Sequence, residues 1–188
     1  GKSYNGTMTI DGNKRMTGSE TLTIKNVNFV LNGEWQSGIY AKKSTSVHNL
    51  TVDGCSFTGT DAKQAYGIYL QHVYDITVKN TEGNNLFDLI YGSYAVTDLV
   101  VQDVKVDNSV QGVWLSYPTG DISFKNVEIS NSENCGVGFY NNAEATITFE
   151  GCEIDKIAYP PVGTYTDTML FNDQVHNLDV DQVHNKLT

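Results

Sequence analysis

The chain has 188 residues, of which 39% are hydrophobic and 18% charged, and it carries a formal net charge of −10 with one arginine, Arg15. This charge argues against nucleic acid and anionic membranes as partners, because both require a positive footprint. No apolar run reaches the length of a membrane span, and no signal peptide is visible. We expect one domain over residues 1–188, and the opening on Gly1 suggests a fragment of a longer protein.

Seven related lines of sequence recur along the chain. In chain order they are TLTIKNVNF (21–29), NLTVDGCSF (49–57), DITVKNTEG (75–83), DLVVQDVKV (98–106), DISFKNVEI (121–129), ATITFEGCEI (145–154) and VHNLDV (175–180). The last of these nearly repeats VHNLTV (47–52). Their first apolar residues are 23 to 31 residues apart, a period that is typical of a solenoid.

Within each line, alternating apolar residues predict a strand with one inward face. The predicted inward columns are Leu22/Leu50/Ile76/Leu99/Ile122/Ile147, Ile24/Val52/Val78/Val101/Phe124/Phe149 and Val27/Cys55/Thr81/Val104/Val127/Cys152. Between the second and third columns lie only Asn, Gly or Asp: Asn26, Gly54, Asn80, Asp103, Asn126 and Gly151. These residue types tolerate a left-handed backbone, so a one-residue bend is predicted there.

A second strand family follows in each period. Its members are GIYA (38–41), GIYL (67–70), LIYG (89–92), GVWL (112–115), GVGF (136–139) and MLFN (169–172). The same alternation predicts an outward row of aromatic residues, interrupted by Gly138: Tyr40, Tyr69, Tyr91, Trp114 and Phe171. Such a row can stack sugar rings or anchor a protein partner. Alternatively, it is a structural ladder, or it is covered by the loops at 32–37 and 58–66.

The order of strand, Asn or Gly bend, strand, turn and strand resembles the right-handed parallel β-helix of pectin-lyase-like proteins. DGNKRMTG (11–18) followed by LTIKNVNF (22–29) is similar to the parallel β-helix repeat of bacterial secreted and cell-surface proteins. The resemblance implies an all-β, single-stranded right-handed parallel β-helix solenoid of about seven coils. It does not define a function, because this scaffold carries many activities.

A polar column precedes the first inward residue of five lines, and its members are Asn49, Asp75, Asp98, Asp121 and Asn177. Neighbouring members would stack ~4.8 Å apart, so the carboxylates would repel each other unless a cation lay between them. Asp75, Asp98 and Asp121 are therefore the candidate calcium ligands. Alternatively, these side chains cap local turns. No cofactor is required by any other feature.

The cysteines and two of the histidines have plain structural interpretations. Cys55 and Cys152 lie four coils apart in one column, ~19 Å by strand spacing, which is too far for a disulfide. We expect both, and Cys135, to be small buried hydrophobic residues. His48 and His176 follow inward valines and are expected to be exposed turn residues.

Catalytic residues cannot be assigned from the sequence. The Arg-x-Pro-x-x-Arg pattern of one pectate lyase family is impossible with a single arginine, and the segments typical of polygalacturonases are absent. Asp88, Asp75 and His72 are the candidates for an acid–base group without a motif.

We therefore expect a non-catalytic β-helix region of a bacterial secreted or cell-surface protein, with adhesion or carbohydrate binding as its role. The alternatives are a polysaccharide lyase or glycoside hydrolase of the pectin-lyase-like fold, and a structural spacer. The expected ligand is a glycan or another cell-surface molecule.

Overall fold

The computed structural model describes residues 2–11, 21–42, 47–140, 145–155, 157–158 and 170–171. Regular secondary structure in these residues is entirely β. The strands are β1 (Lys2–Tyr4), β2 (Met8–Asp11), β3 (Leu22–Lys25), β4 (Val27–Leu31), β5 (Ser37–Lys42), β6 (Val47–Asp53), β7 (Ser56–Gly59), β8 (Tyr66–Leu70), β9 (Val73–Asn84), β10 (Asp88–Gly92), β11 (Val96–Asp107), β12 (Gln111–Ser116), β13 (Pro118–Ser130), β14 (Cys135–Tyr140), β15 (Ala145–Glu150), β16 (Glu153–Ile154), β17 (Ile157–Ala158) and β18 (Leu170–Phe171).

These strands form two parallel sheets that wind into a solenoid of about five turns. The first sheet has eleven strands and follows the order β1-β4-β7-β9-β11-β13-β16-β18, with β3, β6 and β15 pairing beside this path. The second sheet has seven strands in the order β17-β14-β12-β10-β8-β5-β2. The predicted all-β parallel solenoid is therefore confirmed, although the described strands give about five turns where about seven coils were predicted. The line at 175–180, predicted as the last coil, lies outside the described residues.

The predicted inward columns form much of the buried core. Leu50, Ile76, Leu99, Ile122 and Ile147 all have no exposed surface, and each lies in register with its neighbour. The rings of Phe124 and Phe149 stack with centroids 4.8 Å apart, which matches the spacing of adjacent strands. Leu22 is 37% exposed, because among the described strands β3 pairs with β6 alone.

The predicted bend column is confirmed at all six of its positions. Asn26, Gly54, Asn80, Asp103, Asn126 and Gly151 have φ angles between 50° and 63°, in the left-handed region. Their side chains also bond from coil to coil: the Asn80 amide donates to the Asp53 carboxylate at 2.8 Å, and the Asn126 amide donates to Asp103 at 3.0 Å. The bend is therefore fixed by backbone preference and by a ladder of polar contacts.

Glycine begins most members of the second strand family because the coils approach closely there. A Cβ on Gly112 would lie 2.5 Å from the carbonyl oxygen of Gly136, and one on Gly67 would lie 2.7 Å from that of Leu89. A backbone oxygen cannot move aside as a flexible side chain can. The repeated Gly-Ile-Tyr pattern thus reflects packing between neighbouring turns.

The three cysteines are buried and form no disulfide within the described residues, as expected. Burial raises the pKa of the Cys55 and Cys152 thiols. Both thiols donate weakly to backbone carbonyl groups, that of Cys152 to Glu150 at 3.5 Å. They therefore behave as small core residues.

Candidate functional site

The seven-stranded sheet carries four of the five predicted aromatic residues in one row on its outer face. Tyr40, Tyr69, Tyr91 and Trp114 are partners in register across β5, β8, β10 and β12. Their inward neighbours Ile39, Ile68, Ile90 and Val113 have no exposed surface. Each of the four aromatic side chains is partly exposed. We call these four residues the aromatic row.

The rings of the aromatic row pack against each other at their edges. The Tyr40 and Tyr69 rings have centroids 5.1 Å apart at an interplanar angle of 84°, and those of Tyr69 and Tyr91 are 5.0 Å apart at 63°. The Tyr40 hydroxyl donates to the Gln71 side chain at 3.1 Å, and the Gln71 amide donates to the Tyr69 hydroxyl at 3.3 Å. The row therefore combines an internal ladder with partly exposed rings and polar edges.

The two loops flanking the row cover part of it. Tyr66, at the end of one loop, stacks on Tyr91 with centroids 5.0 Å apart. Trp35 from the other loop approaches Tyr66 at 6.0 Å and Phe87 at 5.3 Å. An ion pair between Lys63 and Glu133 at 2.8 Å fastens the loop that precedes Tyr66 to a later coil. Trp35 itself remains half exposed, at 50%.

The interruption of the row at Gly138 is a consequence of packing. A Cβ on Gly138 would lie 2.3 Å from the Trp114 ring, so the indole extends over this glycine. The Trp114 ring nitrogen donates to the Ser116 hydroxyl at 3.1 Å. Gly138 therefore provides the space in which the largest ring of the row lies.

Phe171 does not continue the row, and that prediction is wrong. Its strand β18 pairs with β16 in the eleven-stranded sheet, where Phe171 is opposite Ile154. The prediction assumed that MLFN (169–172) is the member of the second strand family that follows GVGF (136–139). The alternation in four letters does not show which of the two strand families a segment belongs to.

Asp88 is the most unusual polar residue of this region. It is opposite Tyr66 in the sheet, has no exposed surface, and neither of its carboxyl oxygens has a hydrogen-bond partner in the described residues. Burial raises its pKa well above the ordinary value for aspartate. Burial also raises the pKa of the Tyr66 and Tyr91 phenols, and the Asp88 carboxylate contributes to both shifts. A carboxyl group thus lies beneath the aromatic rings.

A carboxyl group with a raised pKa can donate a proton near neutral pH, as a general acid does. Glycoside hydrolysis requires a second carboxyl group within ~5–10 Å of the first. In the sheet register Asp88 is paired with Tyr66, and Tyr66 with Ser37, and neither of these residues is a carboxylate. Asp75, the other candidate, lies in the eleven-stranded sheet and contacts His48 at 3.7 Å. The structure does not bring the two aspartates together.

His72 and His48 both stack on tyrosines. The His72 ring lies 5.4 Å from that of Tyr94, and its buried Nε2 atom has no hydrogen-bond partner among the described residues. The His48 ring lies 4.6 Å from that of Tyr74. His48 is partly exposed and lies in strand β6, not in a turn, so the expectation of an exposed turn residue is only partly met. His176 lies outside the described residues.

The predicted calcium ligands line a shallow groove of about 400 Å³ on the outer face of the eleven-stranded sheet. Asn49, Asp75 and Asp98 adopt left-handed φ angles of 53–56°, but at the next coil Gly120 takes this conformation instead of Asp121. A register shift in the pairing of β11 with β13 accounts for the extra residue. The Asp98 carboxylate accepts the backbone N–H of Asp121 at 2.8 Å.

This hydrogen bond joins two neighbouring coils, whereas a turn-capping side chain bonds to its own local backbone. Within the described residues, no three His, Cys, Asp or Glu side chains come close enough together to hold a metal ion. The three aspartates therefore share a groove without forming a single cluster. Calcium binding by Asp75, Asp98 and Asp121 stays a prediction.

The family of the chain follows from its sequence and its fold. A family model described as "Right handed beta helix region" matches residues 15–170. Comparisons with curated proteins and with solved structures gave no match. In the part of the chain that the structure describes, no helix has the length and hydrophobicity needed to cross a bilayer. Since the matched segment covers most of the 188 residues and is wound as a parallel β-solenoid, the chain belongs to the right-handed β-helix family.

Proposed function

We propose that this β-helix region binds carbohydrate through the aromatic row, as a non-catalytic part of a bacterial secreted or cell-surface protein. The observation that supports the proposal is the register of Tyr40, Tyr69, Tyr91 and Trp114 on four adjacent strands. Sugar rings stack on aromatic faces, and the ~4.8 Å repeat of the strands is close to the length of one sugar unit. An oligosaccharide lying along the solenoid axis would therefore meet several rings.

The chemistry of the row favours a weak and multivalent interaction. Each aromatic contact contributes ~0.5–1.5 kcal/mol beyond the area it buries, so two or three contacts give a low affinity for one chain. A polymer that crosses several such sites would be held by avidity. The Gln71 side chain lies between the Tyr40 and Tyr69 hydroxyls and adds hydrogen-bonding groups for sugar hydroxyls.

A second candidate function is glycoside hydrolysis, which the buried Asp88 favours. Its raised pKa suits a general acid, but Asp88 has no carboxylate beside it in its strand column. Because this second carboxylate is missing from the column, we rank glycoside hydrolysis second. Turnover of a polysaccharide by the wild-type protein would establish it in place of non-catalytic binding.

We expect wild-type protein to bind oligosaccharides on a glycan array. Tyr69→Ala and Trp114→Ala should each lower the affinity by about two- to tenfold, since each removes one stacking surface. Tyr140→Ala is the matched control, because Tyr140 is 52% exposed and lies outside the row. Equal binding by wild type and both row variants would make the row a purely structural ladder. Absence of binding to any glycan would favour the structural spacer.

A further inference from the structure

Asp88 and the rings above it form a site with two components that recognise positive charge. The carboxyl group is fully buried in the outer layer of the seven-stranded sheet and has no hydrogen-bond partner among the described residues. Tyr66 and Tyr91 stack over the region, and Tyr69 meets both rings at their edges, with centroids 5.0–5.4 Å apart. The site is thus a cluster of three tyrosines around an unpaired acid.

Such a cluster is poorly explained by folding alone. A buried polar group without a partner is unfavourable, and cores normally exclude it or satisfy it. Among the described residues, the carboxyl group has no hydrogen-bond partner and forms no ion pair, and burial raises its pKa. A buried acid of this kind commonly marks a functional site, in which a bound ligand supplies the group that pairs with the acid.

The faces of aromatic rings attract cations, and ammonium groups are recognised by cages of such rings. A carboxylate beneath the rings adds an ionic contact in surroundings from which water is largely excluded. The net charge of −10 also raises the local concentration of cations around the molecule. All three features favour a positively charged ligand.

We propose that the carbohydrate bound by the aromatic row is a glycan with free amino groups, and that Asp88 is the counter-ion of one ammonium group. This inference rests on the proposed function and specifies its ligand class. The ring of Tyr66 turns aside to admit the sugar, a rotation available to a partly exposed side chain. On binding, the Asp88 carboxyl group releases its proton to solvent, and the resulting carboxylate pairs with the ammonium group of the sugar.

The proposal is tested by calorimetric titration with glucosamine oligomers and N-acetylglucosamine oligomers of the same length, below neutral pH, where the amines are charged. We expect wild-type protein to prefer the glucosamine oligomer by about tenfold or more. Asp88→Asn removes the charge with little change of shape, and Asp88→Leu removes the carboxyl group without adding amide donors. Both variants are expected to lose the preference, and circular dichroism checks that each is folded.

Glu82→Gln is the matched control, because it makes the same change of charge at an exposed position in the eleven-stranded sheet. It should keep the wild-type preference. Equal affinity of wild type for the two oligomers would overturn the ammonium inference while leaving carbohydrate binding in place. A preference that persists in folded Asp88→Asn or Asp88→Leu would also overturn it, since general charge attraction would then suffice. Failure to bind either oligomer or any other glycan would remove the proposed function itself.

Discussion

Val101→Asp is expected to lower the free energy of unfolding by about 3–5 kcal/mol. If the free energy of unfolding of the wild-type protein is smaller than this, the variant should not fold. Val101 has no exposed surface and lies in register between Val78 and Phe124 in the second inward column. A carboxylate there would lose its water without gaining a partner. Equilibrium unfolding in urea, followed by circular dichroism, measures the change.

The control for this substitution is its immediate neighbour. Val100 is 37% exposed and points to the opposite side of the same strand. Val100→Asp therefore changes the same residue type without burying a charge, and we expect an effect of about 1 kcal/mol or less. If Val101→Asp unfolds at the same denaturant concentration as wild type, the assigned interior of the solenoid is wrong.

Asp88 is expected to make the stability of the protein fall as pH rises from about 4. Its pKa is raised in the folded state by burial, whereas in the unfolded chain it is ~3.9. Between these two values the folded protein keeps a proton that the unfolded chain has lost. The contribution to stability is therefore complete below pH ~4, decreases by about 1.4 kcal/mol per pH unit through the interval, and levels off above the folded pKa.

The comparison with Asp88→Asn isolates this effect, because the variant cannot titrate at position 88. Three other aspartates have a lowered pKa in the folded state, because each accepts a hydrogen bond from an asparagine side chain: Asp53 from Asn80, Asp103 from Asn126 and Asp107 from Asn131. Protonation of these aspartates in acid destabilises the folded protein. These residues are common to both proteins, so their effects cancel in the difference. We expect the stability of wild type relative to Asp88→Asn to decrease from pH 4 to pH 8. A constant difference over this range would show that Asp88 is not buried as an acid.

The interior of this fold was predictable because the same physical requirement recurs in every turn. Each coil must place apolar residues inward and must change direction at one residue, so the columns of Leu, Ile and Val and the bend column of Asn26 and its equivalents are evident in the sequence. The aromatic row was predictable for the same reason as far as Trp114. It failed at Phe171, where one short segment without a clear bend residue had to be assigned to one of two strand families.

The surroundings of Asp88 were not predictable from periodicity. The position is on the outer face of its sheet, where a charged residue is ordinarily solvated. Its partner in the sheet is Tyr66, whose ring packs against that of Phe87, and both residues belong to segments between the repeated lines. Trp35 approaches from a third segment. Loop packing of this kind has no period, so the sequence identified Asp88 as a candidate acid without indicating that it is buried.

Carbohydrate binding by the aromatic row is tested most directly by mapping a bound oligosaccharide on the protein by NMR chemical-shift perturbation. We expect the largest changes of chemical shift in the aromatic row, in the residues of β8, β10 and β12 around Tyr69, Tyr91 and Trp114. Changes confined to the groove around Asp98 in the eleven-stranded sheet, with the signals of the row unaltered, would contradict it.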